Sequence, residues 1–400
     1  MFDRELRQLG LLYAKGLYNA PFYKGRIASA DCFRDYESFR KIPFMYKDEI
    51  RKTSAFERTV TDIGDVYGIF TSSGTSGDKT YYVYSNTDKK VHEEFVNTFY
   101  SELGIGPGDL GGVFAPVDTG VMAHTMMWQF TTRGAGYVNC PEPSPKEMIS
   151  TIRMLPVTVI ATRPSVVCTI YSDPEAVETA RKSTVKKLIL GGGFLSKERR
   201  KLIEYLWDAD CYNMFGMSEV FGPMAGECRF KDGQHFPAHY LMIELLNPDT
   251  GEPVKKGETG MAVYTTLWEK GFPLLRYWTD DFMQIDETPC KCGSSLPRIR
   301  YKGRMADCIR IEKDYVFPEM LENCIMREAF YGEYRARRTL DDTVVITLEA
   351  ENGRTVSEQL KKEITDLFKT DVEIVYVRPG ELEYDGHRPR FTEEKRESVQ

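Results

Sequence analysis

Thr71-Ser72-Ser73-Gly74-Thr75-Ser76-Gly77-Asp78-Lys79-Thr80 is a run of small, hydroxyl-bearing and glycine residues between two apolar stretches, Val66-Tyr67-Gly68-Ile69-Phe70 and Tyr81-Tyr82-Val83-Tyr84. The pattern predicts strand, loop, strand. Next, Asn86-Thr87-Asp88 offers an N-cap to a helix that carries Val91, Phe95 and Phe99 on one face. Val157 to Ala161 and Leu188-Ile189-Leu190 predict buried strands, and Ser196 to Trp207 a helix between strands. Strands alternating with helices imply an α/β domain with a substantially parallel sheet, whose ligands sit in loops beyond the carboxyl ends of the strands. Upstream, residues 1 to about 60 read as helical and polar. Downstream of Arg304 the segments shorten to a strand over Thr343 to Leu348, an amphipathic helix over Val356 to Phe368 and a strand over Val372 to Val377. That is a small α+β unit, fit for a separate lid.

The chain has 400 residues, 42% of them hydrophobic, enough for one large core and a smaller second one. With 53 basic and 60 acidic residues its net charge is -7, and no basic patch with interleaved aromatics offers a nucleic-acid surface. The charged start, Met1-Phe2-Asp3-Arg4-Glu5, lacks a signal-peptide core, and no apolar run reaches the roughly 20 residues of a membrane helix. A soluble, cytoplasmic protein is expected. Nine cysteines, an odd count, favour free thiols or metal ligation over a disulfide framework. Cys32, Cys140, Cys168, Cys211 and Cys324 stand alone, in the manner of buried structural thiols.

The loop after Thr71 has the chemistry to hold a polyphosphate. Glycines let the backbone turn with its amides exposed, hydroxyls donate to phosphate oxygens, and Lys79 adds charge. It is not a Walker loop, and composition alone leaves an ordinary connection open.

The loop resembles the phosphate-binding signature of the acyl-adenylate-forming superfamily, and three later segments match in order. Phe215-Gly216-Met217-Ser218-Glu219 is similar to the family's aromatic-Gly-x-Ser/Thr-Glu motif, Arg276-Tyr277-Trp278-Thr279-Asp280-Asp281 to its ribose-binding segment, and Gly303-Arg304 to the interdomain hinge. Within the superfamily the chain most resembles phenylacetate-CoA ligases, through Ser218 to Pro223, Glu227-Cys228, Pro289-Cys290-Lys291-Cys292-Gly293 with Pro297-Arg298-Ile299, and Val316-Phe317-Pro318. The resemblance implies a large ATP- and acid-binding domain over 1-302 and a small mobile lid over 303-400.

Carried across residue by residue, the resemblance has Ser72, Ser73, Gly74, Thr75, Ser76 and Gly77 cradle the ATP phosphates. Glu219 would hold magnesium, a hard ion suited to a carboxylate. Asp281 would accept the ribose hydroxyls, with Asp280 the alternative, and Arg304 would reach the same region. Gly191-Gly192-Gly193 would leave room for the adenine, and Phe215, Gly216, Met217 and Ser218 would border nucleotide and acyl group, with His124 and Trp128 lining the acid. That lining points to an aryl or medium apolar acid. Cys228, His235, Cys290 and Cys292 form a four-ligand set that tetrahedral zinc accepts, as in related sequences, with unligated thiols the alternative.

Three departures stand out. Relatives carry two acidic residues after the hinge Gly-Arg, where this chain has Ala306 and Asp307; a glycine expected near the pantetheine tunnel is Lys313; and in Gly386-His387-Arg388-Pro389-Arg390 the adenylation lysine is replaced by His387. Either His387 supplies the cation or Arg388 or Arg390 does. The expected reaction is ATP-dependent formation of an acyl-AMP from a small carboxylic acid, with CoA as the first-ranked acceptor. A carrier-protein thiol or an amine remains open as acceptor, as does a turnover-deficient nucleotide-binding protein. Whether the chain is a monomer or a homodimer stays open.

Overall fold

A computed structural model describes residues 2-71, 79-116, 121-141, 144-268, 270-351, 353-382 and 390-394. Its centre is an 11-stranded sheet. Gly136–Cys140, Leu110–Phe114, Val159–Thr162, Lys187–Leu190 and Asp210–Met217 lie side by side and parallel. Val159, Ile160, Leu188, Ile189 and Leu190 are wholly buried, so these strands read as continuous apolar runs rather than alternating ones. The sheet then turns antiparallel through Gly222–Glu227, Gln234–His235, Arg298–Arg304, Tyr277–Asp286, Gly260–Thr266 and Leu241–Leu246.

Helix ends follow local chemistry. Ser196 caps Lys197–Trp207 by accepting from the Arg199 amide at 3.0 Å. The helix Asn86–Glu102 already includes Asn86-Thr87-Asp88, the stretch expected to cap it. Its cap is Ser85, because Ser85 and Asp88 exchange side-chain and backbone hydrogen bonds of 3.1 and 2.8 Å. The first 60 residues are less helical than their polarity implies. After Asp3–Ala14 they form only short turns and helices, broken at glycines and prolines and held by Leu6, Leu9, Tyr23, Phe33 and Phe39 in the core.

The C-terminal part has a four-stranded sheet in the order Val372–Val377, Val344–Glu349, Tyr334–Arg338, Phe391–Glu393, with a separate hairpin of Ile309–Ile311 and Asp314–Val316. Its apolar side is continuous with that of the parallel sheet. Leu321, Tyr334, Ile346 and Phe391 share one buried cluster with Leu188, Ile203 and Trp207. Across this seam Arg199 donates to Glu322 at 3.0 and 2.9 Å, and Arg390 pairs with Glu322 and Glu333, at 2.7 Å each. The Asp307 carboxylate accepts from the Arg390 and Phe391 amides at 2.6 and 3.0 Å, so this acid tethers the last strand.

Candidate active site

Asp210–Met217 carries the aromatic-Gly segment to the carboxyl end of the parallel sheet. Gly216 passes so close to the next strand that a Cβ there would stand 2.2 Å from the Gly222 carbonyl oxygen, which excludes any other residue. A 3-10 turn over Ser218–Val220 then drives Glu219 inward until it is 3% exposed. Its Oε1 accepts hydrogen bonds from the hydroxyls of Tyr82 at 2.9 Å and Tyr277 at 3.1 Å, and the Lys47 ammonium stands 3.7 Å away. Burial pushes this carboxyl up, but Lys47 and the hydrogen bonds outweigh it and hold it below its ordinary value, so it is an anion at neutral pH.

Asp281 lies directly opposite Arg304 in the pairing of Tyr277–Asp286 with Arg298–Arg304. It too is 3% exposed, with the Tyr301 hydroxyl at 3.3 Å and the Arg304 Nε at 3.6 Å. Burial pushes its carboxyl up to about 6, because these distant partners do not offset the lost water. Such a group is short of donors. Asp280 takes φ +61°, a left-handed turn that sends the two neighbouring acids in different directions. Tyr301 also packs its ring 5.1 Å from that of Phe215, joining the two motifs.

The glycine run sits beside them. Gly191 ends its strand against the Met214 carbonyl oxygen, and Gly192 turns at φ +68°. The chain needs glycine at both places for its own path, whatever lies over them. The loop residues Ser72, Ser73, Gly74, Thr75, Ser76 and Gly77 lie outside the described residues, as does His387. The strands flanking that loop are described, paired Thr71 to Tyr81, and Tyr82 on the second of them is the residue that reaches Glu219.

His124 and Trp128 lie on the helix Met122–Thr132 within an aromatic group. The Tyr67 hydroxyl and His124 Nε2 are 3.0 Å apart, the Phe70 and His124 rings 4.8 Å, and His92 stacks on Trp128 at 5.1 Å. Burial keeps both histidines neutral, His92 down to about 3.

Just past the end of the strand Gly222–Glu227, one ligand atom from each of Cys228, His235, Cys290 and Cys292 falls within 4.8 Å of all the others. Cys228 and Cys290 sulfurs are 3.7 Å apart, and Cys292 Sγ is 3.4 Å from His235 Nε2. His235 Nδ1 stands 3.0 Å from the Leu296 carbonyl oxygen; that bond places the proton on Nδ1 and leaves Nε2 free to ligate. A cavity of about 480 Å³ between this cluster and the helix Asn86–Glu102 is lined by Phe95, Phe99, Glu102 and Tyr240.

Lys47, Tyr82, Tyr277 and Tyr301 complete the acidic cluster; Tyr277 lies within the ribose-type segment, but no motif marks the part of Lys47, Tyr82 or Tyr301, which stand within polar or apolar runs. Arg276, read with the ribose segment, is instead buried against Glu244 at 3.1 Å and holds the N-terminal segment in place. Arg390 is committed to Glu322 and Glu333. Among the described residues no helix is long and apolar enough to cross a membrane.

Residues 33–265 match the family model described as AMP-binding enzyme. The chain is 27% identical over 321 residues to a phenylacetate-coenzyme A ligase of Thermus thermophilus, covering 76% of this chain and 71% of that one. It is 25% identical over 388 residues to the Escherichia coli protein of the same name, covering 91% and 88%. A crystal structure of a 2-hydroxyisobutyryl-CoA ligase in a postadenylation state, holding its acyl-AMP, superimposes with a TM-score of 0.83 at 18% identity, over 98% of this chain and 89% of that one. The fold and these matches define an AMP-forming ligase of the adenylate-forming superfamily. The chain belongs to the AMP-binding enzyme family and is phenylacetate-CoA ligase-like within it.

Proposed function

We propose that the protein activates an aryl or medium apolar carboxylic acid with ATP and passes the acyl group to CoA. One carboxylate oxygen of the acid attacks the α-phosphorus in line, the bond to pyrophosphate breaks, and the acyl-AMP forms; the CoA thiolate then attacks the acyl carbon and AMP leaves. In this reading the loop from Ser72 to Gly77 cradles the phosphates, Asp281 accepts the ribose hydroxyls, Arg304 supports that end, and Gly191 to Gly193 with Phe215 to Ser218 border adenine and acyl group. Glu219 is the carboxylate for magnesium, which would screen the phosphate charge when bound. The acid lies against Phe215, Gly216, His124 and Trp128. Residues 303–400 form the lid.

The observation that carries this reading is the donor-poor Asp281, buried beside the anionic Glu219. Two desolvated carboxylates in one cluster are unfavourable unless a ligand supplies hydroxyls and cations. The family match over 33–265, which takes in Glu219 and ends before Asp281, supports nucleotide chemistry. The test is acid-dependent exchange of labelled pyrophosphate into ATP across a panel of aryl and aliphatic acids, followed by acyl-CoA formation. ATP binding without exchange for any acid would leave only the turnover-deficient reading; exchange without thioester would move the acceptor to a carrier thiol or an amine.

We also assign Cys228, His235, Cys290 and Cys292 to a structural zinc, supported by donors that suit a closed tetrahedral site. Purified protein is expected to hold about one zinc per chain, and Cys290→Ser with Cys292→Ser should lose both the metal and thermal stability. Metal-free wild type of normal stability would leave these as ordinary thiols.

A further inference from the structure

Adenylate formation gathers negative charge on the α-phosphoryl oxygens and the leaving pyrophosphate, and a fixed cation there lowers the barrier. At the position that resembles the family's lysine this chain has His387. Arg390 is buried on two glutamates. A cation from elsewhere in the fold is already at the cluster.

Lys47 opens the helix Lys47–Lys52. The segment before it is fastened to the strand that bears Tyr277 and Asp281. Met45 exchanges backbone hydrogen bonds with Arg276 at 3.0 Å and Trp278 at 2.9 Å, forming an isolated bridge to Tyr277. The Arg276 guanidinium donates to the carbonyls of Arg40 and Ile42, and lies 4.3 Å over the Phe44 ring. Lys47 is thus held two residues past a backbone bridge, aimed at Glu219. Its Nζ stops 3.7 Å from Glu219 Oε1, beyond hydrogen-bond length, and its side chain keeps 38% of its surface exposed. The ammonium is thus held at the cluster while still reachable from outside.

We propose that Lys47 is a phosphate ligand of the nucleotide, supplying positive charge to the cluster from the N-terminal side. The inference rests on the adenylation reading, and the experiment separates the two. Affinities for adenosine, AMP and ATP with magnesium are measured for wild type, Lys47→Met and Lys47→Arg. Lys47→Met should weaken ATP roughly tenfold or more, AMP less and adenosine within twofold, with Lys47→Arg recovering part of the ATP loss. Equal losses for adenosine and ATP would make Lys47 a packing residue, and an unchanged ATP affinity would remove it from the site. Wild type that binds no ATP would end the adenylation reading itself. On wild-type protein, ATP but not adenosine should shield Lys47 from acetylation by acetic anhydride, read by mass spectrometry. Equal labelling with and without ATP would overturn the proposal even if Lys47→Met does not fold.

Discussion

Glu322→Gln should destabilise the fold by roughly 3–5 kcal/mol. Glu322 is 0% exposed and stands between two guanidiniums, Arg199 from the large α/β part and Arg390 from just before the last strand. The Glu322 carboxylate answers both cations, and Glu333 adds a second partner to Arg390. An amide at 322 keeps the shape but leaves Arg199 without its carboxylate and Arg390 with Glu333 alone. Arg199→Met should do less harm, since Glu322 then still pairs with Arg390. Burial pushes the Glu322 carboxyl up, yet the two arginines hold it at about 2, against about 4.3 in an unfolded chain. The folded state therefore binds this proton less readily than the unfolded one. Its contribution is complete above the unfolded value and drains away as pH falls toward about 2. Urea unfolding of wild type and Glu322→Gln from pH 7 down to pH 3 checks both points: the gap between them should narrow with acid. A variant within about 1 kcal/mol of wild type at pH 7 would show that the seam relaxes and admits water.

Asp281→Asn should move binding and stability in opposite directions. Nucleotide affinity should fall by roughly 1–3 kcal/mol, because an amide cannot accept both ribose hydroxyls as a carboxylate does. Stability at neutral pH should rise. The folded carboxyl titrates at about 6 and an unfolded aspartate near 3.9, so the folded state holds this proton more tightly. Wild type loses stability as pH climbs from about 4 through 6, a loss of roughly 1–3 kcal/mol that the uncharged amide of the variant does not undergo. The variant should therefore be the more stable protein above pH 6 and equal to wild type near pH 4. Wild-type ATP affinity should climb with pH through the same window, and the variant should lack that climb. Calorimetric binding and thermal melts at several pH values decide it. Undiminished ATP affinity in Asp281→Asn would take the residue out of the ribose site.

How much of this can be read from the chain differs element by element. Strand Val372–Val377 is legible to the residue, and the helix from Ser196 is legible with its cap, because capping and periodicity act within a few neighbours. The cap is Ser85, just before the Asn86-Thr87-Asp88 stretch expected to supply it, because Ser and Asn are equally good acceptors and the reciprocal bond with Asp88 selects Ser85. The four metal-type ligands are legible as residue types, but their closeness depends on the pairing of Gln234–His235 with Arg298 and Ile299.

What the sequence alone determined is the local chemistry: the α/β order of elements, the phosphate-type loop, the two motif carboxylates at 219 and 281, and the thiol and imidazole set. Only the tertiary structure decided which charges meet. Lys47 reaches Glu219 because Met45 pairs with Arg276 and Trp278, Asp281 is desolvated because Arg298–Arg304 lies across it, and Arg390 is withdrawn to Glu322 by the packing of the C-terminal sheet. Charge–charge energies depend on separation in space and on the water excluded around each group. Neither quantity is written in the spacing of residues along a chain.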